Sequence, residues 1–300
     1  FPTHVKESPP ADQKIDMVLL NGCECEPYLT TDHRTMVEYP ERVHVGTRIM
    51  MKVLGISKAV IGIERNKPDA IKIMRDSVPA DLDIEILPLN VKYPQGAEKM
   101  LIKAVLDREV PEGGLPMNVG VVVMNVASVA AIAEIFETGM PLIERILTVT
   151  GSGIKKPRNL IVPIGMKLRD VLNACGGLTD DASKIVMGGP MMGPAQGNLD
   201  TPILKGTSGV VVLNEAEAHP QATYPCIKCG HCLDACPVFL DPQHLGSLGL
   251  HRNYMEMYDK NHLSTCMLCG CCSYVCPSHI PLSHLFGVAK ATLRSEGVKV

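Results

Sequence analysis

Two rhythms of apolar and polar positions alternate through the first half of the chain. Ile15 to Leu20 is an apolar run that stops at Asn21-Gly22, the pattern of a buried strand closed by a turn. Glu41 to Leu54 places Val43, Gly46, Ile49, Met50, Val53 and Leu54 near helical period. Lys58 to Glu64 reads as a strand, Pro68 to Val78 as a helix opened by proline, and Asp83 to Leu87 as a strand. Gln95 to Glu109 reads as a helix, Val119 to Val123 as a strand, and Ser128 to Glu137 as a helix. Strand–helix alternation of this kind predicts an α/β domain with a largely parallel sheet. Pro111 to Pro116 reads as a turn-rich loop.

From about Glu144 the texture changes. Ile146 to Thr150, Asn159 to Val162 and Gly209 to Leu213 are short β-rich runs, and Lys167 to Ala174 is a helix closed by Gly176-Gly177. A small α+β domain is expected there, with Gly188 to Pro194 as its conspicuous loop. Met191 and Met192 in that loop are expected to fill gaps. Beyond it, helix-compatible linkers such as Leu245 to Tyr258 join two cysteine-rich loops. Three domains are expected, over residues 1–143, 144–216 and 217–300.

The 300 residues carry a formal charge of −3, so no basic field favours a nucleic-acid partner. Aromatic residues are 4% and tryptophan is absent, which leaves the cores to Val, Ile, Leu and Met. The most apolar stretch, Val119 to Ala133, falls short of the roughly 20 residues that span a bilayer. The chain opens on Phe1-Pro2-Thr3 without the layout of a signal peptide and reads as a cut inside a longer protein.

Cysteine changes the picture most. Of 12 cysteines, eight form two runs. One is Cys226-x2-Cys229-x2-Cys232-x3-Cys236-Pro237, and the other is Cys266-x2-Cys269-x2-Cys272-x3-Cys276-Pro277. Each cysteine of the second run lies 40 positions after its counterpart, an internal duplication. Three thiolates at steps of three wrap one corner set of a [4Fe–4S] cubane, and the fourth, followed by proline, completes the other cluster. The ligand sets are therefore expected to be Cys226, Cys229, Cys232 and Cys276 for one cluster, and Cys266, Cys269, Cys272 and Cys236 for the second. Structural zinc uses separated Cys-x2-Cys pairs or Cys with His, a different pattern. Of the remaining four, Cys23, Cys25, Cys175 and Cys271, the last two read as small buried side chains.

Four further segments carry a resemblance. They are Phe1 to Lys6, Asn21 to Tyr28, Tyr93 to Lys99, and Met187 to Gly193. Followed by the twin cysteine runs in this order, they resemble the C-subunit of the Rnf electron-transport complex. The first half is more distantly similar to the flavin subunit of respiratory complex I, and the next part to a soluble-ligand-binding β-grasp module. The fold class implied is multi-domain: an α/β flavin-binding domain, an α+β β-grasp domain and an α-helical ferredoxin-like domain.

The resemblance implies FMN and NADH sites in the first domain. Lys6 matches a lysine that contacts the flavin, downstream of a glycine-rich loop that would precede Phe1. Asn21, Glu24, Glu26 and Pro27 match the family's Asn-x-x-Glu-x-Glu-Pro element, in which Asn21 and Glu24 would face the flavin at the C-terminal end of a strand, with Cys23 at an acidic position. Gly96, Ala97 and Glu98 match a Gly-Glu-Glu stretch, with Ala97 replacing an acid. Asn125 and Ser128 match positions that bind flavin phosphate at a helix N-terminus. Without the resemblance, Glu24 and Glu26 read as solvated loop carboxylates, Asn125 and Ser128 as an N-cap, and Lys6 as a surface lysine.

The function so implied is electron transfer between NADH and ferredoxin through FMN and two [4Fe–4S] clusters, coupled to ion movement by membrane partner subunits. The location implied is the cytoplasmic face of the membrane, held peripherally. Two rivals are a cobalamin reductase of propanediol-utilisation microcompartments and a flavin-less relay scaffold, the latter motivated by Ala97 and Cys23.

Overall fold

The structure, a computed structural model, describes residues 2–219 and 221–300; Phe1 of the Phe-Pro-Thr segment lies outside the described residues. The chain divides into two compact units, 1–218 and 219–300.

The first unit opens with α1 (Thr3–Lys6), β1 (Met17–Gly22), α2 (Thr31–Glu38) and α3 (Pro40–Leu54). It continues with β2 (Lys58–Glu64), α4 (Pro68–Asp76), β3 (Asp83–Leu89), α5 (Glu98–Leu106), β4 (Val121–Asn125) and α6 (Val126–Thr138). The four strands form one sheet in the order β3-β2-β1-β4, every pairing parallel. Alternation along β1 explains why the sheet is covered on both faces. Val18 and Leu20 enter one core with α2, α3, α4 and α6, while Met17 and Leu19 enter a second with Leu101 and Ile102 of α5. Chain order reverses at β1, whose neighbours are β2 on one side and β4 on the other, so a crevice opens at the carboxyl ends of these strands.

The same unit goes on through β5 (Glu144–Thr150), β6 (Arg158–Pro163), α7 (Leu168–Ala174), β7 (Ala182–Met187), β8 (Gly209–Asn214) and α8 (Glu215–Ala218). A second sheet runs β6-β5-β8-β7; β5 and β8 are parallel, the outer pairings antiparallel. α7 closes its core with Leu168, Val171 and Leu172 against Leu147, Val149, Val210 and Val212. Cys175 is buried in this core, as expected of a small apolar side chain.

The second unit holds α9 (His231–Asp234), α10 (Pro242–Leu250), α11 (Tyr254–Asp259), α12 (Cys271–Tyr274) and α13 (Leu282–Ser295). The duplication extends to the backbone. Lys228 and Leu268 take φ of 56° and 58°, Gly230 and Gly270 both 83°, and Phe239 and His279 56° and 51°. Each pair is separated by the same 40 positions as the cysteines.

The elements differ from the pattern reading in a few places. α2 and β7 are additions. The helix expected from Gln95 begins at Glu98, because Gln95 and Gly96 turn first, and it ends at Leu106, where Asp107 takes φ 54°. The strand expected at Val119 begins at Val121 after a 3-10 turn over Pro116–Val119. The linker Leu245 to Tyr258 is two helices, broken where Arg252 takes φ 58°. Cys271 is half-exposed rather than buried, since it begins α12 at the rim of a cysteine cavity.

Candidate functional site

The eight motif cysteines ring two cavities in the second unit. Cys226, Cys229, Cys232 and Cys276 line one of about 250 Å³, walled by Gln243, Gly246 and Leu250 of α10. Cys236, Cys266, Cys269 and Cys272 line a tighter one of about 20 Å³, walled by Ser283 and Phe286 of α13. Each cavity thus receives three thiols from one run and one from the other. The left-handed turns at Lys228 and Leu268 fold each triple back on itself, and the Lys228 amide donates to Cys226 Sγ at 3.4 Å. Among the described residues, no three His, Cys, Asp or Glu side chains converge as a single metal ion requires. Each cavity is lined by four motif thiols, the number a cubane takes, one at each of its four irons. Cys271, not among the expected ligands, also lines the second cavity beside Cys269.

Burial raises several of these thiols. Cys266 and Cys232 are pushed above the ordinary thiol value, and Cys272 is pushed up to about 12, burial being the main cause each time. They are protonated without metal, so iron binding has to displace the protons.

The second candidate site is the carboxyl edge of the parallel sheet. Here the structure sorts the expected residues into contacts. Lys6 Nζ lies 2.5 Å from Glu98 Oε1 and donates to the Val123 carbonyl at 2.7 Å. This pair borders an apolar cavity of about 70 Å³ lined by Leu115, Pro116, Met117 and Val121 to Val123. Asn21 Nδ2 donates to the Gly96 carbonyl at 2.7 Å, and the Gly96 amide donates to Cys25 Sγ at 3.2 Å. A Cβ at Gly96 would sit 3.1 Å from that sulfur and 3.6 Å from the Asn21 amide, so glycine keeps this edge open. Asn125 caps α6, its Oδ1 accepting from the Ala127 amide at 2.9 Å while its Nδ2 donates to Asp32 at 2.7 Å.

Glu24 and Glu26 are held by protein groups rather than solvated. Glu24 caps α2, accepting from the Asp32 amide at 2.8 Å, the His33 amide at 3.0 Å and the Thr31 hydroxyl at 3.1 Å. Burial, then the neighbouring Asp32 carboxylate, pushes Glu24 up to about 7. Glu26 turns to the loop after β7 and accepts from the Met191 and Met192 amides at 3.1 and 3.0 Å. The two methionines therefore serve through their backbone. Ser128 is exposed and faces another cavity, of about 140 Å³, with Arg42 and Arg145.

Pattern reading passed over several residues of this edge. The buried pair Lys67 and Glu64 lies 3.1 Å apart, and Lys67 also donates to the Cys23 carbonyl at 2.9 Å. With Glu24, Cys25, Glu26 and His33 they line a cavity of about 390 Å³. The available signal was a glutamate closing the apolar run 59–63, with a lysine three positions on.

The donor set at this edge fits a flavin: a cation, amides and a helix N-terminus beside an apolar wall, at the sheet's switch point. Family models assign the parts accordingly. The Nuo51 FMN-binding domain matches residues 1–134, the SLBB domain 146–195 and the 4Fe-4S dicluster domain 222–280. A flavin-binding domain and an iron–sulfur domain on one chain define an electron-transfer protein.

The chain is 48% identical, over 88% of its length, to the C-subunit of the proton-translocating ferredoxin:NAD(+) oxidoreductase complex of Clostridium ljungdahlii. It is 45% identical, over 87% of its length, to the Na(+)-translocating counterpart of Acetobacterium woodii. It is 40% identical, over 98% of its length, to the C-subunit of the ion-translocating oxidoreductase complex of Rhodobacter capsulatus. It covers 57%, 59% and 56% of these three relatives, a little over half of each. A solved NAD+-reducing [NiFe]-hydrogenase shares the fold, with TM-score 0.67 and 19% identity over all of this chain and 64% of that one. The chain belongs to the C-subunit family of ion-translocating ferredoxin:NAD(+) oxidoreductase complexes, the Rnf complexes.

Proposed function

We propose that this chain carries electrons between NADH and ferredoxin within an Rnf complex, through one FMN and two [4Fe–4S] clusters, with partner subunits coupling the transfer to ion movement. When bound, FMN links a two-electron hydride donor to one-electron clusters. The observation that carries the reading is the three-plus-one distribution of eight thiols around two cavities of one small unit, which makes the clusters neighbours.

In this reading Cys226, Cys229, Cys232 and Cys276 hold one cluster, and Cys266, Cys269, Cys272 and Cys236 the other. Lys6, Asn21 and Asn125 orient the flavin, with Lys6 and the α6 N-terminus meeting its negative charge. Gly96 and Glu98 would border the nucleotide, and Lys6, paired with Glu98, would present a cation to the bound anion. Glu24 holds α2 in place beneath the site. Glu26 and Ser128 keep only the assignment that the family supplies, because their contacts point elsewhere. The three parts are taken as 1–143, 144–216 with a β-grasp fold, and 217–300 with a ferredoxin-like fold. Attachment at the cytoplasmic face through partner subunits is part of this reading; among the described residues, no helix is long and apolar enough to cross a membrane.

An anaerobic NADH titration of the intact, full-length protein tests this, following flavin absorbance and then cluster EPR. Flavin bleaching followed by two reduced-cluster signals is expected. Clusters reducible only by dithionite, with no flavin present, would remove the NADH–FMN arm and leave a relay scaffold.

A further inference from the structure

The duplicated unit places the same helix beside each cysteine cavity, one repeat apart. Gln243, Gly246 and Leu250 of α10 correspond, 40 positions on, to Ser283, Phe286 and Lys290 of α13. The first three line the cavity of Cys226, Cys229, Cys232 and Cys276. Ser283 and Phe286 line the other, and Lys290 lies one helical turn beyond Phe286.

The two copies differ in what they present. Leu250 is 64% exposed, whereas Lys290 is 5% exposed. Lys290 Nζ donates to the Ser264 carbonyl at 3.1 Å, two residues before Cys266, and its charge acts on the Cys266 thiol. The thiols differ in the same sense. Cys226 and Cys229 are exposed, while Cys269 and Cys272 are buried.

Reducing a cluster by one electron adds one negative charge, with no bond made or broken and no proton moved. Burial disfavours that charge and lowers the potential, and a fixed cation in a low-dielectric surround favours it. Resting on the two-cluster reading above, we propose that Lys290 is a tuning residue. Its buried ammonium offsets the burial of the cluster held by Cys236, Cys266, Cys269 and Cys272, and holds that cluster's reduction potential up toward that of its exposed duplicate. Duplication by itself gives two equal sites; burial of one copy drives their potentials apart, and a lysine where the other copy carries leucine draws them back together.

The test is an anaerobic redox titration by EPR on the full-length protein and its Lys290→Gln variant. Gln keeps a donor for the Ser264 carbonyl and removes only the charge. The two signals are assigned beforehand with Cys226→Ser, which perturbs the exposed site. The expected result is that the buried cluster's midpoint moves negative, the other stays, and Lys290→Arg restores the first. A lysine that merely ties α13 to the turn before Cys266 would change iron occupancy or stability and move neither midpoint. Unmoved midpoints, or both moving together, overturn the proposal. If the Gln variant fails to assemble, Lys290→Met, neutral and apolar enough for a buried position, takes its place: a negative shift of the buried cluster's midpoint alone supports the proposal, and an unmoved midpoint overturns it. Fewer than two clusters in the unsubstituted protein would instead defeat the two-cluster reading itself, before any variant is compared.

Discussion

At the scale of single residues, the carboxyl edge of the first sheet is organised by acids that have lost water. Glu24 is enclosed next to Asp32, and burial raises both above the ordinary carboxylate range. A carboxyl whose folded value stands above its ordinary 4.5 takes up a proton on folding. The stability this contributes is whole below the ordinary value and is lost as pH rises toward about 7. The thermal midpoint of the first unit should therefore fall between about pH 4.5 and pH 7. Glu24→Gln, which cannot ionise, should flatten that fall, as pH-dependent calorimetry would show; an unchanged slope would place the proton elsewhere. None of this was legible in the sequence. Glu24 stands in a Cys-Glu-Cys-Glu-Pro stretch that reads as an exposed loop, and its partners, the amides of Asp32 and His33, belong to a helix whose sequence gives little sign of itself. Lys6 was legible only through resemblance, because its partners Glu98 and Val123 are brought near by the sheet.

The helices and strands were easier to read where burial is continuous. β2 spans Lys58–Glu64, as its apolar run indicated, because a strand covered on both faces leaves no polar position to blur its limits. α2 escaped notice for the opposite reason. Its buried positions are Thr31, Thr35 and Met36, so two of three carry hydroxyls and the apolar stripe is missing. Its N-terminal amides are capped by Glu24 from outside the helix, so no local capping residue marks the start. β7 is half-exposed, with Ser183 and Lys184 facing solvent, and offers too few apolar positions for alternation. The pairing of α3 with α6 gives a prediction at this scale. Gly46 of α3 packs against the backbone of α6, and an added Cβ would collide with the Val129 carbonyl. Two backbones cannot relax as a flexible side chain can. Gly46→Ala should thus destabilise the first unit by about 2 kcal/mol or more in denaturant titration, although alanine is the better helix former. A stabilised variant would mean that the helices separate freely.

For the whole molecule, the cysteine spacing carried most of the information, since ligand order is written in the chain when a duplication is intact. The spacing also predicts that each run's fourth cysteine completes the other run's cluster, and the fold brings Cys236 to the second cavity and Cys276 to the first. Cys236→Ser should accordingly impair the cluster at Cys266, Cys269 and Cys272 and spare its sequence neighbour, leaving about half the iron. Loss of the EPR signal belonging to Cys226, Cys229 and Cys232 would reverse the assignment.

The grip on Glu26 bears on how such a protein can be taken apart and recombined. Glu26, Leu29 and Thr30 belong by sequence to the flavin-binding module, yet the following module holds them. Glu26 rests on the Met191 and Met192 amides, the Thr30 amide donates to the Thr148 hydroxyl at 3.1 Å, and Leu29 fills the space beside Gly209. Gly189 has no room for a side chain against Glu26, so the match is steric as well as polar. The two family matches therefore mark units of ancestry rather than interchangeable parts. A chimera that imports a foreign second module inherits a loop cut to another surface, and residues 26, 29, 189 and 209 have to travel together.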